Sequence, residues 1–403
     1  MPRPRGVARV GIPLRLLGAV VAALWVLGCA AHAPAPDAQG PPPGATPAPS
    51  LPQTPPSGAG APLPAVKARV VPVRLTTEAM RIASLVHFVD SLADTSGGKS
   101  VPTYRALWNA RIGAPTPQDR SALDAYRSAR RSATAAARCG APAPGSAGAE
   151  PGWPTRFLYS MLEARDLDGF LGDIEPCLTP DESRGLSDAL AHFTPGFEVF
   201  WRESGWLRAF DRDFQDFLAS GGLPLYLGEV ARWFGVDPET APPPVIGFVI
   251  LPAPGGTHAQ ELGRRLLVEI RPRDTPVDQI SVVAHEESHY LFHQIPPERL
   301  AALEARARAA GPNGEDVWHL LHEAIPTALG QGLAVARLQP AAFRPDLGWY
   351  HIPEIDALAH RIYPLVREAV DSGRTIDGDF IAACVRAQDT AKGRPGPAAL
   401  PRP

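Results

Sequence analysis

Three histidines recur at every fourth position of the segment AHEESHYLFH, which spans residues 284–293. Because residues four apart lie on one face of an α-helix, His285 and His289 can direct both imidazole rings at a single metal ion. Glu286 projects from the neighbouring position, where its carboxylate can reach a water molecule on that ion without binding the metal. This spacing predicts a zinc ion held by two histidines, with an adjacent base that removes a proton from water.

A catalytic zinc ion needs a third protein ligand besides one open position. His293 extends the histidine series, but it lies about 12 Å from His285 along a helix axis and cannot share the ion. A second apolar helix is predicted for EDVWHLLHEAIPTALGQGLA (315–334), and Glu323 within it is the best candidate for the third ligand. Other residues of that helix remain alternatives for this position: His319, His322 and Glu315.

The pattern H-E-x-x-H, followed at a distance by a helix that carries E-A and then small residues, resembles the gluzincin branch of the zincin metallopeptidases. The resemblance covers residues 240–370 approximately, and it implies hydrolysis of peptide bonds with Glu286 as general base on a zinc-bound water. The zinc ligands that it implies are His285, His289 and Glu323. The 33 residues between the last two exceed the gap in the best-known gluzincins, and the segment 296–311 reads as an inserted helix that accounts for the difference.

Attack on an amide creates an oxyanion that also needs stabilisation. By the same resemblance, a tyrosine or histidine downstream of the zinc ligands supplies this group. The segment GWYHIPEIDALAHRIYPLV (348–366) offers four candidates: Tyr350, His351, His360 and Tyr363. Tyr350 is preferred because it lies after a loop, at the start of a helix-like segment, where its side chain can reach into a cleft. Tyr363 has the helical spacing of a core residue.

Two short segments rich in valine and isoleucine precede the zinc motif and read as strands: PPPVIGFVILPAP (242–254) and RLLVEIRP (265–272). A small sheet is therefore expected to pack against the helix of the motif, which is predicted for residues 278–295 with Asp278 as N-cap. One of the two strands, at 245–251 or 265–271, is expected at the sheet edge. An extended peptide could pair with that edge by main-chain hydrogen bonds.

The chain before these strands is helical by pattern. Amphipathic helices are predicted at 76–93, 179–193 and 197–220. Thr179 and Glu182 have the spacing of a capping box, and the aromatic stripe of the third helix is expected in the core. The predicted fold class is therefore α+β and mostly helical, with a helical domain over 67–240 and a zincin-like domain over 241–390.

The N-terminus has the pattern of an export signal over residues 1–28. Four arginines precede the apolar run LLGAVVAALWVL (16–27), which is shorter than the roughly 20 residues of a membrane-spanning helix. The following VLGC (26–29) resembles the lipobox of bacterial lipoproteins, which implies acylation of Cys29. Ala30 rather than aspartate follows, and by the same resemblance this implies the outer membrane, on its periplasmic or cell-surface face. The membrane is thus one expected partner, through this lipid.

Residues 29–66 contain almost no large apolar side chain and are rich in proline and alanine, so they are expected to form a disordered tether. A disordered tail is predicted for 391–403. Cys139 and Cys177 flank a Pro/Gly/Ala-rich loop and could form a disulfide in an oxidising periplasm, whereas Cys384 is expected to be buried. None of the cysteines has the spacing of metal ligands.

Loss of the four leader arginines changes the formal net charge from −3 to −7, which excludes a strongly basic nucleic-acid-binding protein.

Taken together, the zinc motif and the leader predict a zinc metallopeptidase with a peptide or protein substrate, held at the outer membrane by its lipid. A catalytically silent zincin-like lipoprotein that binds a partner is the main alternative, and a zinc hydrolase of non-peptide amides is a third. The intact Glu286 and both histidines favour an active enzyme.

Overall fold

The structure is a computed structural model that describes residues 69–95, 101–140, 152–251 and 257–392. The predicted signal peptide, the acylation site Cys29 and the tether lie outside the described residues, as does most of the predicted tail. Within the described ranges the chain is α+β and mostly helical, as the sequence predicts.

The helices of the N-terminal half bury aromatic side chains against one another. They are α1 (Arg81–Ala93), α2 (Val101–Arg111), α3 (Pro117–Arg130), α4 (Ala133–Arg138), α5 (Trp153–Glu163), α6 (Leu167–Ile174), α7 (Pro180–Glu203), α8 (Gly205–Ala219) and α9 (Gly222–Phe234). Phe88 of α1 contacts the rings of Phe197 and Phe200 in α7. The capping box of Thr179 and Glu182 begins α7, as predicted. The helices predicted at 179–193 and 197–220 are divided differently, because α7 continues to Glu203 and α8 begins at Gly205. Most of the aromatic stripe lies in the core, as expected.

A four-stranded sheet lies between these helices and the rest of the chain. Its strands are β1 (Thr76–Ala79), β2 (Val245–Ile250), β3 (Ala259–Leu262) and β4 (Arg265–Ile270), in the order β1-β2-β4-β3. β2 runs parallel to both of its neighbours, with Val245 opposite Thr76 and Arg265, whereas β3 is antiparallel to β4. Because β1 precedes the helices and β2 follows them, the sheet joins the predicted helical and zincin-like segments.

Two expectations about the sheet are wrong. The segment 76–93 was expected to be wholly helical, but its first residues form β1 and the helix begins at Arg81. The strands expected at the sheet edge, 245–251 or 265–271, are the two interior strands, and the edges are β1 and β3. Both edge strands have only four residues, TTEA and AQEL, and a polar composition. Because one side of an edge strand has no neighbouring strand, it tolerates such residues and lacks the apolar run that identifies an interior strand.

The C-terminal half is formed by helices that surround one buried helix. They are α10 (Ile280–His293), α11 (Pro297–Ala310), α12 (Gly314–Thr327), α13 (Val335–Leu338), α14 (Pro353–Ser372) and α15 (Gly378–Lys392). α10 contacts β3 and β4 of the sheet as well as α9 and α12, and α11 forms within segment 296–311, where the sequence predicts a helix. None of the helices in the described part of the chain combines the length and the apolar composition that a membrane span requires.

The cysteines are placed as the sequence suggests. Cys139 and Cys177 form a disulfide with their Cα atoms 5.5 Å apart, which ties α4 to the turn before α7. Cys384 is free and fully buried in α15. Apolar burial raises the pKa of the Cys384 thiol, so this cysteine is an inert core residue.

Candidate metal centre

α10 places the zinc motif in the interior of the protein. A short 3₁₀ turn, Pro276–Gln279, leads into the helix, and Thr275 donates main-chain and side-chain hydrogen bonds to Asp278, each 2.8 Å long. The prediction of Asp278 as the N-cap of this helix is therefore wrong: Asp278 closes a capping box on the 3₁₀ turn, and Gln279 precedes the helix. Every residue of α10 from Val282 to Phe292 is buried, because the sheet covers one side of this helix and other helices cover the rest.

The structure brings together the three residues that the sequence assigns to the metal. The Nε2 atoms of His285 and His289 lie 3.0 Å apart. Oε2 of Glu323, on α12, lies 3.5 Å from the first of these nitrogens and 3.6 Å from the second. The three atoms thus form a nearly regular triangle, whose longer sides exceed the length of a good hydrogen bond.

This triangle fits a zinc ion. Tetrahedral coordination with bonds of about 2.0–2.1 Å holds neighbouring ligand atoms about 3.3 Å apart, close to the observed separations. Two imidazoles and one carboxylate are also a donor set that zinc accepts while it keeps one position open. Within the described ranges, His285, His289 and Glu323 are the one group of three such side chains whose ligand atoms converge closely enough to hold a metal.

The alternative third ligands lie elsewhere. The ring of His322 packs edge-on against Phe292 and Trp318, and burial lowers the pKa of this histidine to about 3. His319 is exposed, and the carboxylate of Glu315 lies 4.0 Å from a guanidinium nitrogen of Arg308 on the outside of the helix. Of the candidates on α12, Glu323 is the one that faces both histidines.

Strong electrostatic coupling joins the predicted ligands. Burial alone would raise the pKa of Glu323, but the neighbouring His289 and His285 hold it well below its usual value. In return, the Glu323 carboxylate raises the pKa of His289 to about 9, against the opposing effect of burial. The group is thus a partly buried carboxylate balanced by positive charge, which a divalent cation can supply in place of a proton.

Glu286 has the environment of a base that exchanges protons. Its side chain is only 3% exposed, and its Oε1 atom has no hydrogen-bond partner among the described residues. Burial raises the pKa of this carboxylate, although His285 and His289 lower it in part. A carboxyl group with a raised pKa both takes up and gives back a proton more readily near neutral pH.

Tyr350, the residue that the sequence favours as oxyanion stabiliser, lies beside the predicted ligand His285. Its ring is almost parallel to that of His285, with the centroids 6.0 Å apart. Asp356, in the first turn of α14, accepts hydrogen bonds from the main-chain N–H groups of Trp349 and Tyr350 at 2.6 and 2.9 Å. This carboxylate holds the loop that carries Tyr350 against the site. The ring of His360 stacks on Trp349 instead of approaching the ligands.

Two contacts of the site could not be read from the sequence. The side chain of Gln331 accepts a hydrogen bond from Nδ1 of His285 at 3.2 Å, and nothing in the local sequence signals this partner. Glu261, on the edge strand β3, lies 3.2 Å from Nδ1 of His293. His293 thus pairs with the sheet edge one turn beyond His289 and lies outside the group of converging side chains, as the sequence predicts.

No protein-family model, curated protein or solved structure shows significant similarity to this chain.

Proposed function

We propose that the chain is a zinc-dependent hydrolase of peptide bonds, held at the outer membrane by a lipid on Cys29. The observation that carries the proposal is the triangle of His285, His289 and Glu323, whose spacing suits tetrahedral zinc. Glu286 next to that triangle, with an unpartnered buried oxygen, distinguishes a hydrolytic site from a purely structural one.

Each residue of the site has a chemical role in this proposal. Bound zinc supplies a Lewis acid that acidifies water and polarises a carbonyl oxygen. The carboxylate of Glu286 accepts a proton from the attacking water and delivers it to the amine that leaves. The hydroxyl group of Tyr350 donates a hydrogen bond to the oxygen that becomes negative during attack. Tyr350→Phe is accordingly expected to lower kcat while the variant still binds zinc.

The sheet offers a place for an extended substrate. Among the described residues β3 pairs only with β4, and it contacts α10, which carries the metal ligands. A peptide that adds to the outer side of β3 gains main-chain hydrogen bonds without any demand on its sequence. The substrate is therefore a peptide or an extended segment of a protein.

The proposed location has separate support. The disulfide between Cys139 and Cys177 is typical of proteins that fold in an oxidising compartment such as the periplasm. The leader pattern of residues 1–28 and the lipobox-like VLGC point to the same compartment.

A peptide-library cleavage screen combined with metal analysis tests the proposal. Wild-type protein should cleave members of the library, and Glu286→Gln should retain zinc but lose cleavage, because only the base is removed. Glu287→Gln is the matched control. This glutamate is the next residue on α10 and is equally buried, and burial raises the pKa of its carboxyl well above the usual value. The control should bind zinc and cleave as the wild type does.

Two results would contradict the proposal. If Glu286→Gln cleaved peptides at the wild-type rate, Glu286 would not be the general base. Zinc binding by the wild type without cleavage of any peptide would favour the catalytically silent, partner-binding alternative.

A further inference from the structure

The helix that carries Glu323 changes its hydrogen-bonding pattern soon after that residue. α12 ends at Thr327, and residues Ala328–Ala334 form a π-helix before α13 resumes α-helical geometry. Pro326 lies two residues before the change, and its missing N–H removes one α-helical hydrogen bond there. π-helical turns are rare in proteins and occur frequently at functional sites.

This π-helix affects which side chain reaches the metal site. In a regular α-helix, the residue seven positions after Glu323, here Gly330, would share its face. A π turn takes up one more residue, because its hydrogen bonds join residues five apart instead of four. The extra residue brings Gln331 towards α10, where its Oε1 atom lies 3.2 Å from Nδ1 of His285.

Glycine on either side of Gln331 permits this close approach. A Cβ atom on Gly330 would lie 2.6 Å from the carbonyl oxygen of Ser281 and 2.7 Å from Cβ of His285. On the other side, a Cβ atom on Gly332 would lie 2.8 Å from the ring of Tyr363. The sequence Gly-Gln-Gly therefore lets the π-helix touch the backbone of α10 at the position of the first predicted zinc ligand.

We propose that Gln331 is a positioning residue that fixes the tautomer and the ring orientation of His285; this inference rests on the proposed zinc function. A neutral imidazole has a single N–H group, and the carbonyl oxygen of Gln331 accepts that hydrogen at Nδ1. The lone pair of His285 is thereby kept on Nε2. This atom lies 3.0 Å from Nε2 of His289 and 3.5 Å from Oε2 of Glu323.

A second polar side chain of this helix, that of Thr327, does not take this role. Thr327 is four residues from Glu323 and fully buried, but its hydroxyl group has no hydrogen-bond partner among the described residues. Gln331 also differs from the carboxylates that often orient a zinc-bound histidine, because its amide carries no charge. It orients the ring without adding a further negative charge to a site that already contains Glu286 and Glu323.

The zinc affinity of four variants of the full chain, measured by competition with a chelator, tests this role without any substrate. Gln331→Leu removes the acceptor, and Gln331→Asn shortens the side chain so that its amide cannot reach the ring. Both should bind zinc about 10–100-fold more weakly than the wild type. Gln331→Glu keeps an acceptor at the same reach and should bind zinc at least as tightly. Thr327→Val is the control on the same helix, and its affinity should stay within about twofold of the wild type.

The Co²⁺-loaded protein and the metal-free melting temperature separate positioning from a merely structural role. The visible spectrum of Co²⁺ should change in Gln331→Leu and be restored in Gln331→Glu, while the metal-free melting temperatures stay alike. The inference is overturned if Gln331→Leu binds zinc as the wild type does, or if Gln331→Glu binds as weakly as Gln331→Leu. Wild-type protein that binds no zinc would overturn it together with the proposed function, whereas zinc binding without peptide cleavage would contradict only the latter.

Discussion

Oε2 of Glu323 lies 3.5 Å from Nε2 of His285, although the two residues are 38 positions apart in the sequence. Helix α11 occupies part of that separation and returns the chain, so that α12 packs against α10. One regular helix thus takes up much of the interval between His289 and Glu323, and the three predicted ligands still converge.

Replacement of Glu323 should abolish tight zinc binding. Loss of an outer partner of a ligand already weakens metal binding about 10–100-fold, so loss of the ligand itself in Glu323→Ala should weaken it by more than about 100-fold. Glu315→Ala, which removes an exposed carboxylate from the same helix, should leave the affinity unchanged. Titration of metal-free protein with zinc in the presence of a competing chelator measures both. If Glu323→Ala bound zinc as tightly as Glu315→Ala, Glu323 would not be the third ligand, and another side chain of α12 would have to supply it.

A buried ion pair between α1 and α3 supports the helical half of the fold. The carboxylate of Asp90 accepts hydrogen bonds from Nε of Arg130 at 2.6 Å and from the hydroxyl of Tyr126 at 3.0 Å. Because Arg130 is left buried without its counter-charge, Asp90→Asn should lower the free energy of unfolding by about 3–5 kcal/mol.

Denaturant unfolding at neutral pH measures the effect of Asp90→Asn. Its control is Glu203→Gln, since the ion pair of Glu203 with Arg111 has side chains 57% and 43% exposed. This variant should change the free energy of unfolding by less than about 1 kcal/mol. A similar loss in both variants would show that burial of the Asp90 pair does not set its contribution.

Acid should destabilise the fold through His258. This residue is 4% exposed, its main-chain N–H donates to Oε2 of Glu269 at 2.7 Å, and its ring stacks on that of His87. Burial lowers the pKa of His258 from 6.5 to about 4, although Glu269 opposes the shift. Between these two values the unfolded chain holds a proton on this ring that the folded chain does not. Stability therefore falls as the pH falls, by up to roughly 3 kcal/mol from this group.

The difference between wild-type and variant stability profiles isolates this contribution. Unfolding free energies measured from pH 7 to pH 4 should fall less steeply for His258→Gln than for the wild type. His319→Gln, which removes an exposed histidine, should follow the wild-type profile. Parallel profiles for His258→Gln and the wild type would contradict the assignment.

Local patterns predict most of the site, and long-range contacts account for what they miss. His285, Glu286 and His289 follow from helical spacing, and the apolar residues around Glu323 indicate its helix. The strands β1 and β3 were missed because four polar residues at a sheet edge carry no recognisable periodicity. Gln331 was missed because α-helical spacing from Glu323 places Gly330 towards α10, whereas the π-helix brings the next residue there. The pairing of Asp90 with Arg130 joins α1 to α3, which no local pattern encodes.

The most direct measurement is an anomalous difference map, recorded at the zinc absorption edge from crystals of the zinc-loaded protein. We expect one strong peak about 2.0–2.2 Å from Nε2 of His285, Nε2 of His289 and a carboxylate oxygen of Glu323. No peak between these three atoms, or a peak held by other side chains, would contradict it.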